Sequence, residues 1–164
     1  MPPRMPTSTP PFRSIATIVA LPVMLATVIA AVVFQPALEE FQPVQTWRGV
    51  YRTDRHKSAA TTHVDGARVC TGASALGCWD GAAPLVPEGA SIVAAIASVH
   101  TALGVRRVLM SAREDGGRSI LYFAQEPAAA LRQSRLNTVK AVVLLLAFVL
   151  LAVFTVSNAL RKKA

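Results

Sequence analysis

The chain has 164 residues, 52% of them hydrophobic and only 16% charged, with a formal net charge of +8 and a pI near 10.5. That length holds one small domain plus anchors rather than two full domains, and a mean hydropathy of +0.43 is too apolar for an ordinary soluble protein. The basic balance does not point to nucleic acid, because residues 35–140 carry twelve basic against nine acidic side chains and no basic stripe interleaved with aromatics.

The first segment, residues 1–14, is a short basic tail rich in Pro, Ser and Thr, expected to be extended and poorly ordered. It leads into Ile15 to Phe34, twenty residues without a charge. At about 1.5 Å per residue such a helix spans about 30 Å, the thickness of a bilayer's hydrocarbon core. Pro22 should kink it by removing one backbone bond. The apolar run exceeds a normal signal-peptide core and no small-x-small site follows Phe34, so a retained anchor is favoured over a cleaved signal. After it, Phe41 and Trp47 are placed to sit at a membrane–water interface.

Residues 35–140 read as one extramembrane α+β domain. Trp47 to Arg52, "WRGVYR", alternates as a short strand. Residues 53–88 show weak periodicity and scattered Gly, Thr and Pro, which reads as a loop. Ile92, Val93, Ile96, Val99 and Leu103 follow helical spacing, with Gly104 at the position of a helix stop. "VRRVLMSAR" and "RSILYFAQ", separated by "EDGG", predict a β-hairpin. Pro127 opens a helix expected to run straight into a second apolar segment, residues 141–160, again without a charge. Arg132, Arg135 and Lys140 at its start, and Arg161, Lys162 and Lys163 in the basic stub 161–164, are then placed to reach headgroups. The predicted class is a membrane protein, two transmembrane helices (about 15–34 and 141–160) flanking a small α+β domain.

Both tails are short, basic and free of acid, whereas the intervening loop is 106 residues long and counts for little in the positive-inside rule. The tails are therefore expected inside and the domain outside. An exported domain permits a disulfide between Cys70 and Cys78, spaced C-x₇-C with Gly72 and Gly77 between them. The alternative is a zinc or redox site built from His56, His63, Cys70 and Cys78, which fall in one 23-residue window. Its gaps of six or seven residues are unlike the tight ligand pairs of structural zinc sites.

Catalytic signals are weaker. "GASALG" around Ser74 lacks the spacing of a nucleophile elbow. His63, Asp65, Ser74 and Asp80 supply the residue types of a triad without a pattern, and His100 reads as a satisfied, partly buried histidine. No haem-attachment or phosphate-cradling motif occurs, so no cofactor is implied. Neither span carries a charge or a histidine that would suggest an ion path.

Thr17, Ala20, Thr27 and Ala31 give the first span a small-residue face suited to close approach by a partner helix. Leu144, Leu145, Leu146, Leu150 and Leu151 make the second span bulkier and suited to lipid. These features lead to a non-catalytic accessory subunit of a larger membrane complex, in contact with other integral membrane subunits and lipid. Basic, reaction-free subunits are common in energy-converting complexes, so a respiratory complex of the mitochondrial inner membrane is favoured by compositional analogy. The C-terminal "RKKA" loosely resembles a dilysine retrieval signal, which keeps the endoplasmic reticulum in view beside a bacterial inner membrane. The alternative function is a membrane-tethered metal- or redox-active domain.

Overall fold

A computed structural model describes residues 12–56, 59–80, 85–116 and 121–161; at 12–18, 55, 56, 59, 156, 157 and 159–161 it describes the backbone only. Most of the expected N-terminal tail and the end of the basic stub lie outside the described residues. The domain is β-rich. In chain order come helix α1 (Phe12–Val33), a 3₁₀ turn (Glu39–Phe41), strands β1 (Gln45–His56), β2 (Ala59–Val64), β3 (Ala67–Val69), β4 (Ala73–Ser74), β5 (Gly77–Cys78), β6 (Ser91–Thr101), β7 (Gly104–Glu114) and β8 (Leu121–Ala124), and helix α2 (Pro127–Arg161).

β1 is the hinge of the sheet. Trp47, Gly49, Tyr51 and Thr53 turn inward while Arg48, Val50, Arg52 and Asp54 face out, the period of two expected of a half-buried strand. Its first half pairs with β6, from Gln45↔Ile96 to Val50↔Ser91, and its second half with β2, from Tyr51↔Val64 to His56↔Ala59. At the bend, a side chain on Gly49 would lie 2.5 Å from the Asp65 Cβ, so the crossing of the β2–β3 turn over β1 needs glycine there. That turn is Asp65-Gly66, with φ of 51° and 76° and Val64 paired to Ala67. Positive φ at both central residues makes it the primed hairpin turn that matches strand twist.

The sheet order is β3-β2-β1-β6-β7-β8, and its two sides meet. Just past β3, Cys70 bridges to Val108 on β7: its N–H donates to the Arg107 carbonyl (2.7 Å) and its carbonyl accepts from Leu109 N–H (2.9 Å). The sheet is thereby curled into a small barrel. Tyr51, Val64, Val69, Ile92, Ile96 and Leu109 fill the inside of the curl, with Trp47 and Phe123 against them. A second cluster, with Phe41, Cys70, Ala73, Val99, Val108 and Met110, lies on the opposite face of β6 and β7, under the 3₁₀ turn and the start of α2.

This two-sided burial corrects the sequence reading at several points. Residues 92–103, expected as a helix, form β6 and its turn. A bulge pairs Ala95 with Ser111 and Ile96 with Leu109, leaving Met110 as the extra residue, and Ile92, Ala94 and Ile96 join one cluster while Ala97 and Val99 join the other. A strand buried on both faces loses the polar alternation that marks it, and its apolar spacing then mimics a helix. Gly104 (φ +93°) does not end a helix; it re-enters the strand after the Ala102-Leu103 turn. The expected loop at 53–88 holds the end of β1 and all of β2 to β5. Phe41, expected at an interface, is 1% exposed in the second cluster. The domain expected as α+β is thus β-rich, with the 3₁₀ turn and the start of α2 packed on its sheet. The pairing of β7 with β8 and the long helix from Pro127 stand as predicted, with residues 117–120 of the expected hairpin lying outside the described residues.

α2 begins on Pro127, where a missing N–H costs nothing. Its stretch Pro127–Thr155 contains an 18-residue window of mean hydropathy 2.5 and is long and apolar enough to cross a membrane. In α1 the apolar stretch with described side chains is the shorter Val19–Val33. The expected pair of spans thus reduces, among the described residues, to one helix that meets the length of a bilayer.

Candidate functional site

β4 and β5 form a miniature hairpin, Ala73 pairing with Cys78 and Ser74 with Gly77. It brings the Cα atoms of Cys70 and Cys78 to 5.5 Å, and the two are joined in a disulfide. Its tip is held from two sides. Ala75 N–H donates to Thr138 Oγ1 of α2 (2.8 Å), and the Ala75 carbonyl accepts from Ala102 N–H in the β6–β7 turn (2.8 Å). Asn137 Nδ2 adds a longer bond to the Ala73 carbonyl (3.4 Å). Ser134, Asn137 and Thr138 are all buried polar residues on this face of α2. Replacing Thr138 with valine keeps the shape but leaves the buried Ala75 N–H without an acceptor. It should cost roughly 1–2 kcal/mol in urea unfolding of the full chain in neutral detergent, whereas the same change at exposed Thr155 should be near silent.

Beside this hairpin lies an open cleft of about 750 Å³, lined by Arg68, Cys78, Trp79, Leu103, Arg106 and Arg107 among others. The Leu103 side chain overhangs Gly77, where a Cβ would sit 3.3 Å from Leu103 Cδ1. Asp80 accepts from Arg68 Nη2 (2.9 Å) and from Thr71 N–H (3.2 Å). Arg106 donates to the Leu103 carbonyl (2.6 Å), and the Arg107 guanidinium lies 5.0 Å from the Trp47 ring centre, a cation–π contact. Among the described residues neither Arg106 nor Arg107 is in an ion pair, so the cleft carries uncompensated positive charge.

The residues offered for chemistry by the sequence are spread out. His63 lies on β2 with Nδ1 3.4 Å from Asp54 Oδ2, Asp65 is in the β2–β3 turn, and Ser74 is buried with its hydroxyl donating to the Gly77 carbonyl (3.1 Å). The His56 side chain lies outside the described residues. Among the described residues, the group that approaches the cysteines is Asp80: its carboxylate and both sulfurs lie within 4.8 Å of one another. With the disulfide closed, neither sulfur is a thiolate that a metal could use.

His100 is not the partly buried histidine expected. Its side chain is 71% exposed and its Nδ1 sits 3.0 Å from Glu40 Oε2, while its N–H also donates to that carboxylate. Burial alone would raise the Glu40 carboxyl, but hydrogen bonds from the His100 and Ala37 N–H groups and from the His100 ring outweigh it, and the value lies below the ordinary one. A depressed carboxyl contributes stability above its unfolded pKa and loses it as pH falls through the folded one. The tie between the 3₁₀ turn and β6 should therefore weaken below about pH 4. Glu40→Gln should lower the melting temperature slightly at neutral pH and remove that acid step from a melting-temperature profile.

The small-residue face of α1 has its partner within the chain. Ala20, Met24, Thr27, Ala30 and Ala31 are covered positions of α1, and Val142, Leu146, Val149 and Val153 are covered positions of α2, each set recurring at helical spacing. The two helices pack against each other, with Val19, Ala20 and Val23 beside Phe148, Ala152 and Val153. The run is antiparallel. Thr27 Oγ1 is already satisfied by the Val23 carbonyl (2.8 Å). The Thr17 side chain lies outside the described residues. Leu144, Leu145, Leu150 and Leu151 are exposed as expected of lipid-facing positions, but Leu146 belongs to the helix seam. Of the residues expected at headgroups, Arg132, Arg135 and Lys140 are exposed on α2, Trp47 is half-buried on the barrel core, and the Arg161 side chain and Lys162 lie outside the described residues.

Arg106 and Arg107 are visible in the sequence as a pair, but nothing local joins them to Arg68; only the Cys70–Val108 closure does. No family model, curated protein or solved structure matches this chain.

Proposed function

We propose that the chain is a non-catalytic accessory subunit of a larger membrane assembly, presenting a disulfide-stapled barrel at the membrane surface. The observation that carries this reading is the continuity of α2. One helix of 35 residues is bonded into the barrel through Asn137 and Thr138 and then runs on with Leu144, Phe148, Leu151 and Phe154 exposed. Apolar surface of that extent needs lipid or other helices around it. In this reading α1 crosses beside α2 as the second span of a hairpin, both tails lie inside, and the barrel faces a compartment where Cys70–Cys78 persists.

The favoured setting is an energy-converting complex, with the mitochondrial inner membrane ahead of a bacterial inner membrane or the endoplasmic reticulum. Affinity purification from native membranes in mild detergent, followed by native electrophoresis, tests it. Co-migration with other integral membrane subunits is expected; a chain that runs alone, with no stoichiometric companion, overturns it.

A second reading, a tethered redox- or metal-active domain, is favoured by the approach of Asp80 to the two sulfurs. It requires the reduced state, and stoichiometric zinc in chain purified under reducing conditions would support it over the first.

A further inference from the structure

We propose that the cleft beside the disulfide holds the phosphate-bearing headgroup of an anionic phospholipid at the foot of α2. The inference rests on the reading of α2 as a membrane span. Ala141, the first residue of the uncharged run, lines the same cleft as the three arginines. A span starting there sets the cleft at the depth of the headgroups.

The chemistry of the cleft fits that position. Arg68 is engaged by Asp80, but Arg106 and Arg107 face no carboxylate among the described residues. Guanidinium groups present paired donors matched to phosphate oxygens and shed water more readily than an ammonium. Next to them, in the turn before β7 and at its start, Leu103 and Val105 are 69% and 55% exposed. Exposed apolar side chains adjoining free arginines are out of place facing water. They suit a tip that dips toward the acyl chains while the arginines stay with the phosphates. Disposition also separates this cleft from a soluble-anion site, which has no use for Leu103 and Val105 at its rim. Its volume, about 750 Å³, has room for a headgroup with the glycerol behind it.

The test uses full-length chain purified in neutral detergent, stripped of lipid, and titrated with phosphatidylglycerol or phosphatidylcholine of matched acyl chains, with bound lipid counted by native mass spectrometry. The expected result is one phosphatidylglycerol held at least roughly tenfold more tightly than phosphatidylcholine, and a loss of about fivefold in Arg106→Gln. Arg113→Gln, which removes the same charge from β7 outside the cleft, should bind as the unaltered chain does. Arg106→Gln leaves the Arg107–Trp47 contact in place, and its unchanged melting temperature would exclude unfolding as the cause of the loss. Equal binding of the two lipids, or equal losses in the two variants, overturns the proposal. Displacement of the lipid by equimolar inorganic phosphate would assign the cleft to a soluble anion and overturn it as well. Alkaline carbonate extraction of native membranes separates the two levels. Release of the chain refutes the span reading and this proposal with it, whereas retention without lipid preference refutes the proposal alone.

Discussion

Leu109→Ala should destabilise the barrel by roughly 2–5 kcal/mol, the range for truncating a buried leucine. Leu109 is 0% exposed. It stands directly before the bulge residue Met110 in the β6–β7 pairing, opposite Ile96, and its N–H closes the curl by donating to the Cys70 carbonyl. It shares the inner cluster with Tyr51, Val64, Val69 and Ile96, so strands from both sides of the closure contribute to the core it fills. Alanine removes three carbons of buried apolar volume, and a closed barrel collapses poorly into the space. Urea unfolding of the full chain in neutral detergent, followed through tryptophan emission, reads it, since Trp47 lies against the same cluster. Leu121→Ala on β8 is the control, because Leu121 is 58% exposed, and should stay within about 0.5 kcal/mol. Equal effects at the two sites would mean that the inner cluster is not the core.

How far the sequence carries the reading follows from what each element buries. β1 is legible because one of its faces meets solvent and Arg48 and Arg52 alternate with Trp47 and Tyr51. The β7–β8 hairpin is legible from its turn residues, and α2 from Pro127 and an unbroken helical run. β6 is not, because both its faces are covered and its spacing is compatible with either period. Asp65-Gly66 is a sound local signal for the β2–β3 hairpin, but it stands in a stretch without alternation around it. The Cys70–Cys78 bond follows from compartment logic and short spacing, and it is present. The cleft is beyond local reading, since Arg68 and Arg106 become neighbours only when the sheet curls. The small-residue face of α1 is a contact surface, as its composition suggests, and within the chain it packs against α2.

The disulfide should rank beside the inner core in its effect. Cys70 and Cys78 are eight apart in sequence, and closing so short a loop restricts the unfolded chain by about 2.5 kcal/mol in the chain-entropy treatment. The loop also anchors two larger contacts. Cys70 carries both backbone bonds of the barrel closure, and Ala73 and Ala75 receive α2 through Asn137 and Thr138. Opening the bond therefore loosens the curl and the foot of α2 together. For a domain of this size, that loss corresponds to a fall in melting temperature of roughly 10–20 °C. The comparison is between the oxidised chain, the same chain after reduction, and the Cys70→Ala/Cys78→Ala double variant, all in neutral detergent. The reduced chain and the double variant should melt together, well below the oxidised chain, and trypsin should cut faster at Arg68, in the short strand β3. If instead both thiols react with an alkylating agent before any reductant is added, and reduction leaves the melting temperature where it was, the bond is not what holds the loop. The clasp on α2 would then rest on Thr138 and Asn137 alone.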